Sequence, residues 1–143
     1  MIKIEPFDIE HFDQMDIDES THLRRENREL YERYKTIGSA ISLLDGDKVL
    51  ACGGCAVLWD GVGEIWMLKG RYFADHPVSA VRAGRHVVKD ALTRMGLRRV
   101  QANVEAADIK AKRYIEAIGL CFEGLMRCYG VNGEDYLLYA RVE

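Results

Sequence analysis

The stretch from residue 38 to residue 69 constrains the fold most, because it alternates short apolar runs with tight polar turns. The apolar runs are Ala40 to Leu44, Val49 to Leu58 and Glu64 to Lys69. The turns between them read Asp45-Gly46-Asp47 and Asp60-Gly61-Val62-Gly63, and Asp-Gly pairs favour tight hairpin turns. We therefore predict a three-stranded antiparallel meander.

The middle run of this meander contains two glycines between two cysteines. Gly53 and Gly54 have no side chains to pack, so inside a strand they indicate a bulge or the close approach of another backbone. The Cys52-Gly53-Gly54-Cys55 sequence has the spacing of a metal or redox site. Residues three apart on a strand point to opposite faces, so we expect two buried thiols. A zinc or redox protein that uses all four cysteines is the alternative.

Strands and helices on both sides of the meander predict a single α+β domain over residues 1 to 143. Before the meander we expect a strand from Ile2 to Phe7, a helix from Ile9 to Met15 capped by Asp8, and a helix from Thr21 to Ile37. After it we expect a helix from Pro77 to Gly96, a strand from Leu97 to Val104, a helix between Asp108 and Gly119, and strands from Glu123 to Tyr129 and Tyr136 to Val142.

The sequence also predicts which face of the helix after Pro77 is buried and how the last two strands are joined. The helix after Pro77 should bury the residues that recur at three- and four-residue steps, which are Val81, Gly84, Val88, Ala91, Leu92 and Met95. The last two strands should be joined through Gly130-Val131-Asn132-Gly133, because an Asn-Gly pair favours a tight hairpin turn.

Composition and charge exclude several classes of protein. Hydrophobic residues make up 48% of the chain and charged residues 30%, as in ordinary globular domains. No apolar run approaches the roughly 20 residues of a membrane helix. The net charge of −3 argues against a general nucleic-acid binder, which needs an excess of Lys and Arg. We expect a protein of the bacterial or infected-host cytoplasm, with no membrane or nucleic-acid partner, which could form oligomers.

The segment from Ala107 to Gly124 is the most distinctive part of the sequence. It reads ADIKAKRYIEAIGLCFEG, a helix with a small residue and an aromatic residue, followed by a glycine and an aromatic strand. With the element order from Gly38 to Val142, it resembles the GNAT superfamily of acyl-CoA-dependent N-acyltransferases. The resemblance implies a GNAT-like acyltransferase fold, in which helices flank a mixed, mostly antiparallel sheet. It also implies acetyl-CoA as co-substrate and an amine as acceptor.

The same resemblance locates a cofactor site. Members of the superfamily hold the thioester arm on free backbone groups of a splayed fourth strand, which here implies Met67 and Leu68. They hold the pyrophosphate on an (Arg/Gln)-x-x-Gly-x-(Gly/Ala) loop at a helix N-terminus. By position, this loop falls on residues 76 to 81, and the implied cofactor-binding residues are His76, Ser79, Ala80, Val81 and Arg82.

The loop departs from the superfamily pattern. Ser79 and Val81 replace glycines, so their β-carbons occupy space that a phosphate would approach. Pro77 removes one backbone donor. The Ser79 hydroxyl and a basic stripe of Arg82, Arg85 and Lys89 could replace part of the lost binding, or the stripe could be only a solvated helix face.

Three residues are candidates for the chemistry that the resemblance implies. Glu64, at the edge of the implied cofactor strand, would remove a proton from the amine, and Glu105 is the alternative for this role. The leaving thiolate is often protonated by a tyrosine of the last helix, but counting from Asp108 places Ile115 there and Tyr114 one residue early. Tyr114 is the candidate for this role only if the helix register differs, and otherwise it packs in the core.

The altered loop and the displaced tyrosine support an alternative function. The sequence from Glu64 to Leu68, followed by His76-Pro77 and a basic helix, resembles GNAT-like proteins of short-tailed bacteriophages, some of which are virion-associated. That resemblance implies a catalytically silent structural or interaction protein whose partners are phage virion proteins.

Overall fold

The computed structural model describes residues 1–17 and 27–143. In chain order the elements are β1 (Ile2–Pro6), α1 (Ile9–Gln14), α2 (Arg28–Tyr34), β2 (Gly38–Asp45), β3 (Lys48–Trp59), β4 (Val62–Lys69), a short 3-10 turn (Phe73–Asp75), α3 (Pro77–Leu92), β5 (Arg99–Glu105), α4 (Ile109–Ala117), β6 (Cys121–Met126) and β7 (Tyr136–Val142). The order is the predicted one. The start of the helix predicted from Thr21 lies outside the described residues.

The seven strands that the structure describes form one sheet, ordered β1-β2-β3-β4-β5-β7-β6. Strands β2, β3 and β4 pair antiparallel in sequence, which confirms the predicted meander. Gly46 and Gly61 lie in its two turns with φ of +57° and +82°, a region that glycine enters without strain. Among the strands of the described ranges only β4 and β5 pair in parallel, so the sheet is mixed and mostly antiparallel, as predicted.

The parallel pair β4 and β5 is short. Residues 62, 63 and 64 of β4 lie opposite residues 99, 100 and 101 of β5, and the ladder ends there. Strand β4 continues along β3 until Lys69 lies opposite Ala51. Strand β5 continues along β7 until Glu105 lies opposite Tyr136. The two central strands therefore part beyond Glu64, and we call the space between them the split.

Separate apolar cores cover the two faces of the sheet. Helices α1 and α2 cover one face, where the buried residues include Phe7, Phe12, Tyr31, Cys52, Trp66 and Leu68. Helices α3 and α4 cover the other face, where they include Cys55, Val87, Val88, Val100, Ile115 and Ile118. No helix in the described ranges is long and apolar enough to cross a bilayer.

Glycines 53 and 54 confirm one of the two alternatives predicted for them. A β-carbon on Gly54 would collide with the carbonyl group of Ser39, and one on Gly53 would lie 2.8 Å from the carbonyl oxygen of Trp66. The irregularities of β3 fall elsewhere, opposite Leu43 and Leu44 and between Val57 and Trp59. Gly53 and Gly54 thus permit close approach of the neighbouring strands.

The structure corrects the predicted buried face of α3. Its buried residues are Ala80, Ala83, Val87, Val88 and Ala91, whereas Val81 and Gly84 are half-buried. The helix packs against the sheet through the first set, and Gly84 meets α4. A helix with two packing partners buries a wider arc than the single stripe that periodicity predicts.

The final hairpin also differs from the prediction. Strand β6 ends at Met126, so residues 127–135 form a longer loop than a tight Asn-Gly turn would give. Gly133 has φ of +84°, but the loop is closed by other contacts. The Gly130 amide donates to the Glu134 carbonyl oxygen at 2.9 Å, and the Cys128 amide donates to the Asp135 carboxylate at 3.0 Å.

Candidate functional site

The backbone of Met67 faces the split. The Gly70 amide donates to the Leu50 carbonyl oxygen at 2.8 Å, and hydrogen-bonded pairs alternate along an antiparallel ladder. Leu68, opposite Cys52, therefore belongs to the pairs that bond β4 to β3. Met67 lies between them, so its N–H and C=O point to the side that β5 has left. Leu68 lacks the free backbone groups that the resemblance implied for it, because those groups bond to β3.

An apolar cavity of about 50 Å³ lies between the sheet and helices α3 and α4. Small residues leave this space, among them Gly53 on β3 and Ala80, Ala83 and Gly84 on α3. Met67 lines it from the edge of the split, and Tyr114, Phe73 and Ile118 line it from the helix side. One water needs roughly 10 to 15 Å³ on this measure, so the cavity is narrow.

Tyr114 links α4 to the first turn of α3. Its hydroxyl donates to the Ala80 carbonyl oxygen at 2.9 Å, and burial raises the pKa of Tyr114 to about 12. The predicted register of α4 is confirmed, because the Asp108 carboxylate caps the helix by accepting from the Ala111 amide at 3.0 Å. Ile115 is 5% exposed and packs in the core. The position implied for the proton-donating tyrosine thus holds an aliphatic side chain.

The start of α3 presents few backbone donors. Pro77 has no N–H, and the Ala80 amide already donates to the His76 carbonyl oxygen at 2.9 Å. The amides of Val78 and Ser79 lie in the first helical turn, where no intrahelical acceptor precedes them. Val78 is 71% exposed, so this helix end faces solvent.

His76 lies toward the β2–β3 turn. Its Nε2 is 3.7 Å from the Asp45 carboxylate, which also accepts from the N-terminal amino group of Met1 at 3.1 Å. A contact between His76 and a phosphate at the start of α3 would compete with this interaction.

The three basic residues of α3 differ in their roles. All three are exposed, as predicted for the outer face of the helix. The Arg85 guanidinium donates to the Ala117 carbonyl oxygen at 2.9 Å. It therefore supplies a hydrogen bond to a carbonyl group at the C-terminal end of α4, which has no donor partner within the helix. Arg82, one turn closer to the helix start, is the better placed of the stripe to meet a phosphate there.

Glu64 lies where the split begins, on the face covered by α1 and α2. Its carboxylate accepts from the side-chain amide of Asn103, on β5, at 2.8 Å. Both residues are half-buried. The sequence analysis missed Asn103, although the alternation of β5 offers a signal, since Gln101, Asn103 and Glu105 share the polar face of an otherwise buried strand.

Aromatic rings surround the Glu64 side of the split. The ring centroid of Trp66 lies 4.9 Å from that of Tyr34, 5.8 Å from that of Tyr31 and 5.7 Å from that of Phe7. Burial raises the pKa of Tyr31, and burial together with the nearby Glu64 carboxylate raises that of Tyr34. The site is thus a half-buried carboxylate beside an aromatic wall.

Three buried polar side-chain atoms on this face lack a hydrogen-bond partner within the described part of the chain. They are the Tyr31 hydroxyl, the Trp66 indole Nε1 and the Asn103 amide Oδ1. An unpaired buried polar group costs about 1 to 3 kcal/mol. Unpaired groups of this kind call for an explanation. A bound molecule that supplies the missing hydrogen bonds is one such explanation.

The cysteines do not form a common site. Cys52 packs on the α1–α2 face and Cys55 on the α3 face, as strand alternation predicts. Burial raises the pKa of Cys52 to about 11 and that of Cys55 to about 12. Residues 1–17 and 27–143 contain no group of three His, Cys, Asp or Glu side chains that could hold a metal ion.

No protein-family model matches the chain, and no curated protein matches it in sequence. Its structure is nevertheless similar to those of acetyltransferases. A GNAT-family acetyltransferase from Bacillus anthracis matches with a TM-score of 0.74 and 15% identity, over 99% of this chain and 94% of that chain. An IAA acetyltransferase from Bacillus cereus matches with a TM-score of 0.75 and 11% identity over 100% of both chains.

A spermidine N-acetyltransferase from Vibrio cholerae, as a point mutant, matches with a TM-score of 0.76 and 12% identity, over 99% of this chain and 93% of that chain. The similarities extend over nearly the whole chain, and the sequence identities are low. The chain therefore has the fold of the GNAT-family acetyltransferases.

Proposed function

We propose that the chain is an acetyl-CoA-dependent N-acyltransferase of GNAT type. The observation that carries the proposal is the parting of β4 and β5 beyond Glu64, which leaves the backbone of Met67 without a β5 partner at the edge of an apolar cavity. Helix α3 begins near the same cavity, which Ala80 of its first turn lines. An extended thioester arm and a pyrophosphate would need these two features side by side.

The residues at the split fit acetyl-CoA, with weaker pyrophosphate binding than a glycine loop would give. The Met67 N–H and C=O would hold the amide groups of the arm. The amides of Val78 and Ser79, the Ser79 hydroxyl and the Arg82 guanidinium would hold the pyrophosphate. Bound there, acetyl-CoA would supply an acyl group activated as a thioester.

Glu64 would prepare the acceptor. An amine in water is mostly protonated, and it attacks a carbonyl carbon only after losing one proton. The Glu64 carboxylate takes up that proton, directly or through a water molecule, and the amine nitrogen then forms the new C–N bond while the C–S bond breaks. The nitrogen gives up its second proton to water as the amide forms, and the group that protonates the thiolate regains its proton from water. The half-buried position of Glu64 keeps it in reach of an acceptor that enters from the α1–α2 face.

The confirmed register of α4 gives the implied tyrosine position to Ile115, so a proton for the departing thiolate would have to come from Tyr114, one residue earlier. Tyr114 lines the cavity, and its raised pKa of about 12 keeps it protonated at neutral pH. To act, it has to release the Ala80 carbonyl oxygen. This is an unfavourable starting point for a proton donor, and it predicts slow turnover.

An acetyl-transfer assay with a set of primary amines tests the proposal. The free thiol that each transfer releases is the quantity measured. Glu64→Gln should lower the rate by about 10² to 10⁴ if the carboxylate is the base. Glu123→Gln is the matched control, since Glu123 pairs with Arg99 outside the split. Wild-type protein that releases no thiol above the uncatalysed rate with any amine would contradict the proposal.

A catalytically silent protein of the same fold, associated with a phage virion, is the second candidate. The specific observation in its favour is the burial of Ile115 at the position implied for the tyrosine. It predicts no turnover and no loss of function in Glu64→Gln. It also predicts that the protein co-purifies with virions when both are produced in one cell.

A further inference from the structure

Strand β6 forms one edge of the sheet, and within the described part of the chain it pairs only with β7. An edge strand presents a row of backbone N–H and C=O groups to which a further strand can bond. Four of the six side chains of β6 are exposed. They include Phe122 at 56% and Leu125 at 54%. Large apolar side chains on an unpaired edge indicate a surface that another strand covers.

The opposite edge of the sheet, β1, has the features that prevent such pairing. Lys3 and Glu5 are charged and form an ion pair of 2.8 Å, and Pro6 has no N–H to donate. Strand β6 contains neither lysine nor proline. Its one charged residue, Glu123, already accepts from the Arg99 guanidinium at both carboxylate oxygens, at 2.7 and 3.0 Å. Strand β6 is therefore the edge that is open to a partner.

A bulge in β6 places Phe122 and Leu125 on the same face of the sheet. Phe122 lies opposite Tyr139 of β7, Leu125 lies opposite Leu137, and the register shifts between Phe122 and Gly124. Tyr139 and Leu137 both pack in the core under α3 and α4. In a regular strand, residues three apart point to opposite faces, so the extra residue is what aligns the two apolar side chains.

The bulge makes β6 complementary to a second copy of itself. Two copies can pair antiparallel about a two-fold axis between Glu123 and Gly124, and Phe122 of each copy then lies opposite Leu125 of the other. Residues that lie opposite each other must point to the same face, a condition that Phe122 and Leu125 meet because of the bulge. Near the axis, Glu123 lies opposite Gly124, around which the structure leaves open space.

The same register brings opposite charges together beside the strand. Arg127, the residue after β6, would lie opposite Leu120 of the second copy. Glu116, on the last turn of α4, lies near this end of β6, because burial and the Glu116 carboxylate together raise the pKa of Tyr139, the residue opposite Phe122. Arg127 and Glu116 are exposed, and neither forms an ion pair within residues 1–17 and 27–143. The arginine of one copy therefore has an available carboxylate on the other.

We propose that two copies of the chain associate through β6, which joins their sheets into one continuous sheet across a two-fold axis. Phe122 and Leu125 of both copies pack together on the α3–α4 face, and Arg127 of each copy pairs with Glu116 of the other. The interface is one strand and a few side chains per copy, which is small for a protein dimer. We expect a reversible dimer with a dissociation constant between about 1 and 100 μM. The inference is independent of acetyl transfer, since none of these residues lies at the split.

Sedimentation velocity of the full chain tests the proposal. The sedimentation coefficient should rise from that of a monomer to that of a dimer between about 1 and 500 μM. Leu125→Glu puts a charge into the apolar contact twice and should weaken association by at least about 100-fold. Trp59→Glu, at an apolar residue that is 62% exposed and distant from β6, is the matched control and should leave association unchanged. Monomers at every concentration, or equal losses in the two variants, overturn the proposal and leave the edge to a strand of another protein.

Charge reversal tests the register without changing the apolar contact. Arg127→Glu and Glu116→Arg should each weaken the dimer by about 10-fold, because each variant places like charges opposite each other at two positions. Both residues are exposed, so both variants should fold. An equimolar mixture of the two should associate about as tightly as the wild type, since every contact between unlike variants joins opposite charges. A mixture that associates no better than either variant alone overturns the proposed pairing.

Discussion

The hydroxyl of Tyr114 and the carbonyl oxygen of Ala80 are joined by a 2.9 Å hydrogen bond that ties α4 to the first turn of α3. Gly84 makes the contact possible, because a β-carbon there would lie 2.5 Å from the Tyr114 hydroxyl oxygen and 2.5 Å from Cγ2 of Ile118. The bond therefore fixes the distance between the two helices that border the cavity beside the split.

Tyr114→Phe removes this bond and keeps the ring. We expect the free energy of unfolding to fall by about 1 kcal/mol, because the Ala80 carbonyl oxygen loses its side-chain donor. Urea unfolding followed by fluorescence measures the change, and Tyr129→Phe, at an exposed position, is the control. If Tyr114 is also the proton donor, the acetylation rate falls further than acetyl-CoA affinity does. No change in stability would mean that the bond does not hold the helices together.

Gly84→Ala should destabilise the protein despite the better helix propensity of alanine. The propensity gain is about 1 kcal/mol, whereas forcing a methyl group into a packed helix contact costs about 1 to 3 kcal/mol. Gly124→Ala places its methyl group in open space and should change stability by less than about 0.5 kcal/mol. In the Tyr114→Phe background the cost of Gly84→Ala should shrink, because the hydroxyl that it meets is gone. Additive losses in the double variant would contradict the proposed contact.

Thiol reactivity should divide the cysteines into two pairs. Cys121 and Cys128 are exposed, whereas Cys52 and Cys55 are buried with pKa values raised to about 11 and 12. Iodoacetamide at neutral pH should therefore modify only the first pair in the native protein, and all four cysteines after unfolding. Peptide mass spectrometry identifies the sites. Rapid native modification of Cys52 or Cys55 would show that the sheet faces open.

Stability should fall at alkaline pH because of the same buried thiols. A group whose pKa is raised by folding binds its proton more tightly in the native state, so its contribution is present below the unfolded pKa of about 9 and is lost as the pH rises toward 11 and 12. Urea midpoints from pH 7 to pH 10.5 measure the loss. Cys52→Ala, which cannot ionise there, should flatten the slope, and Cys121→Ala should not. An identical slope in both variants would assign the loss to other groups.

Local signals predicted most of the fold. The Asp-Gly turns and alternating runs specified the meander, and Asp108 fixed the register of α4, because each acts within a few residues. The buried face of α3 and the length of the last hairpin loop were wrong in detail. Both depend on contacts with distant residues, such as Gly84 with Tyr114 and Gly130 with Glu134.

The candidate site was less predictable than the fold. Glu64 could be chosen from the resemblance, but its partner Asn103 is 39 residues away and meets it only because β5 lies beside β4. The role of the Met67 backbone depends on which residues bond to β3, and this alternation is fixed by the register of the ladder. The sequence signals that Asn103 lies on the polar face of β5, but it does not show that Asn103 meets Glu64 or that Met67 rather than Leu68 has the free backbone groups.

Calorimetric titration of the full chain with acetyl-CoA tests the central claim that the split between β4 and β5 holds a thioester arm. We predict saturable heat with a dissociation constant between about 1 μM and 1 mM, the range in which enzymes commonly bind their substrates. Free pantetheine, which lacks the nucleotide, should bind more weakly because it has no pyrophosphate to contact the start of α3. No heat with acetyl-CoA at about millimolar concentration would contradict the account.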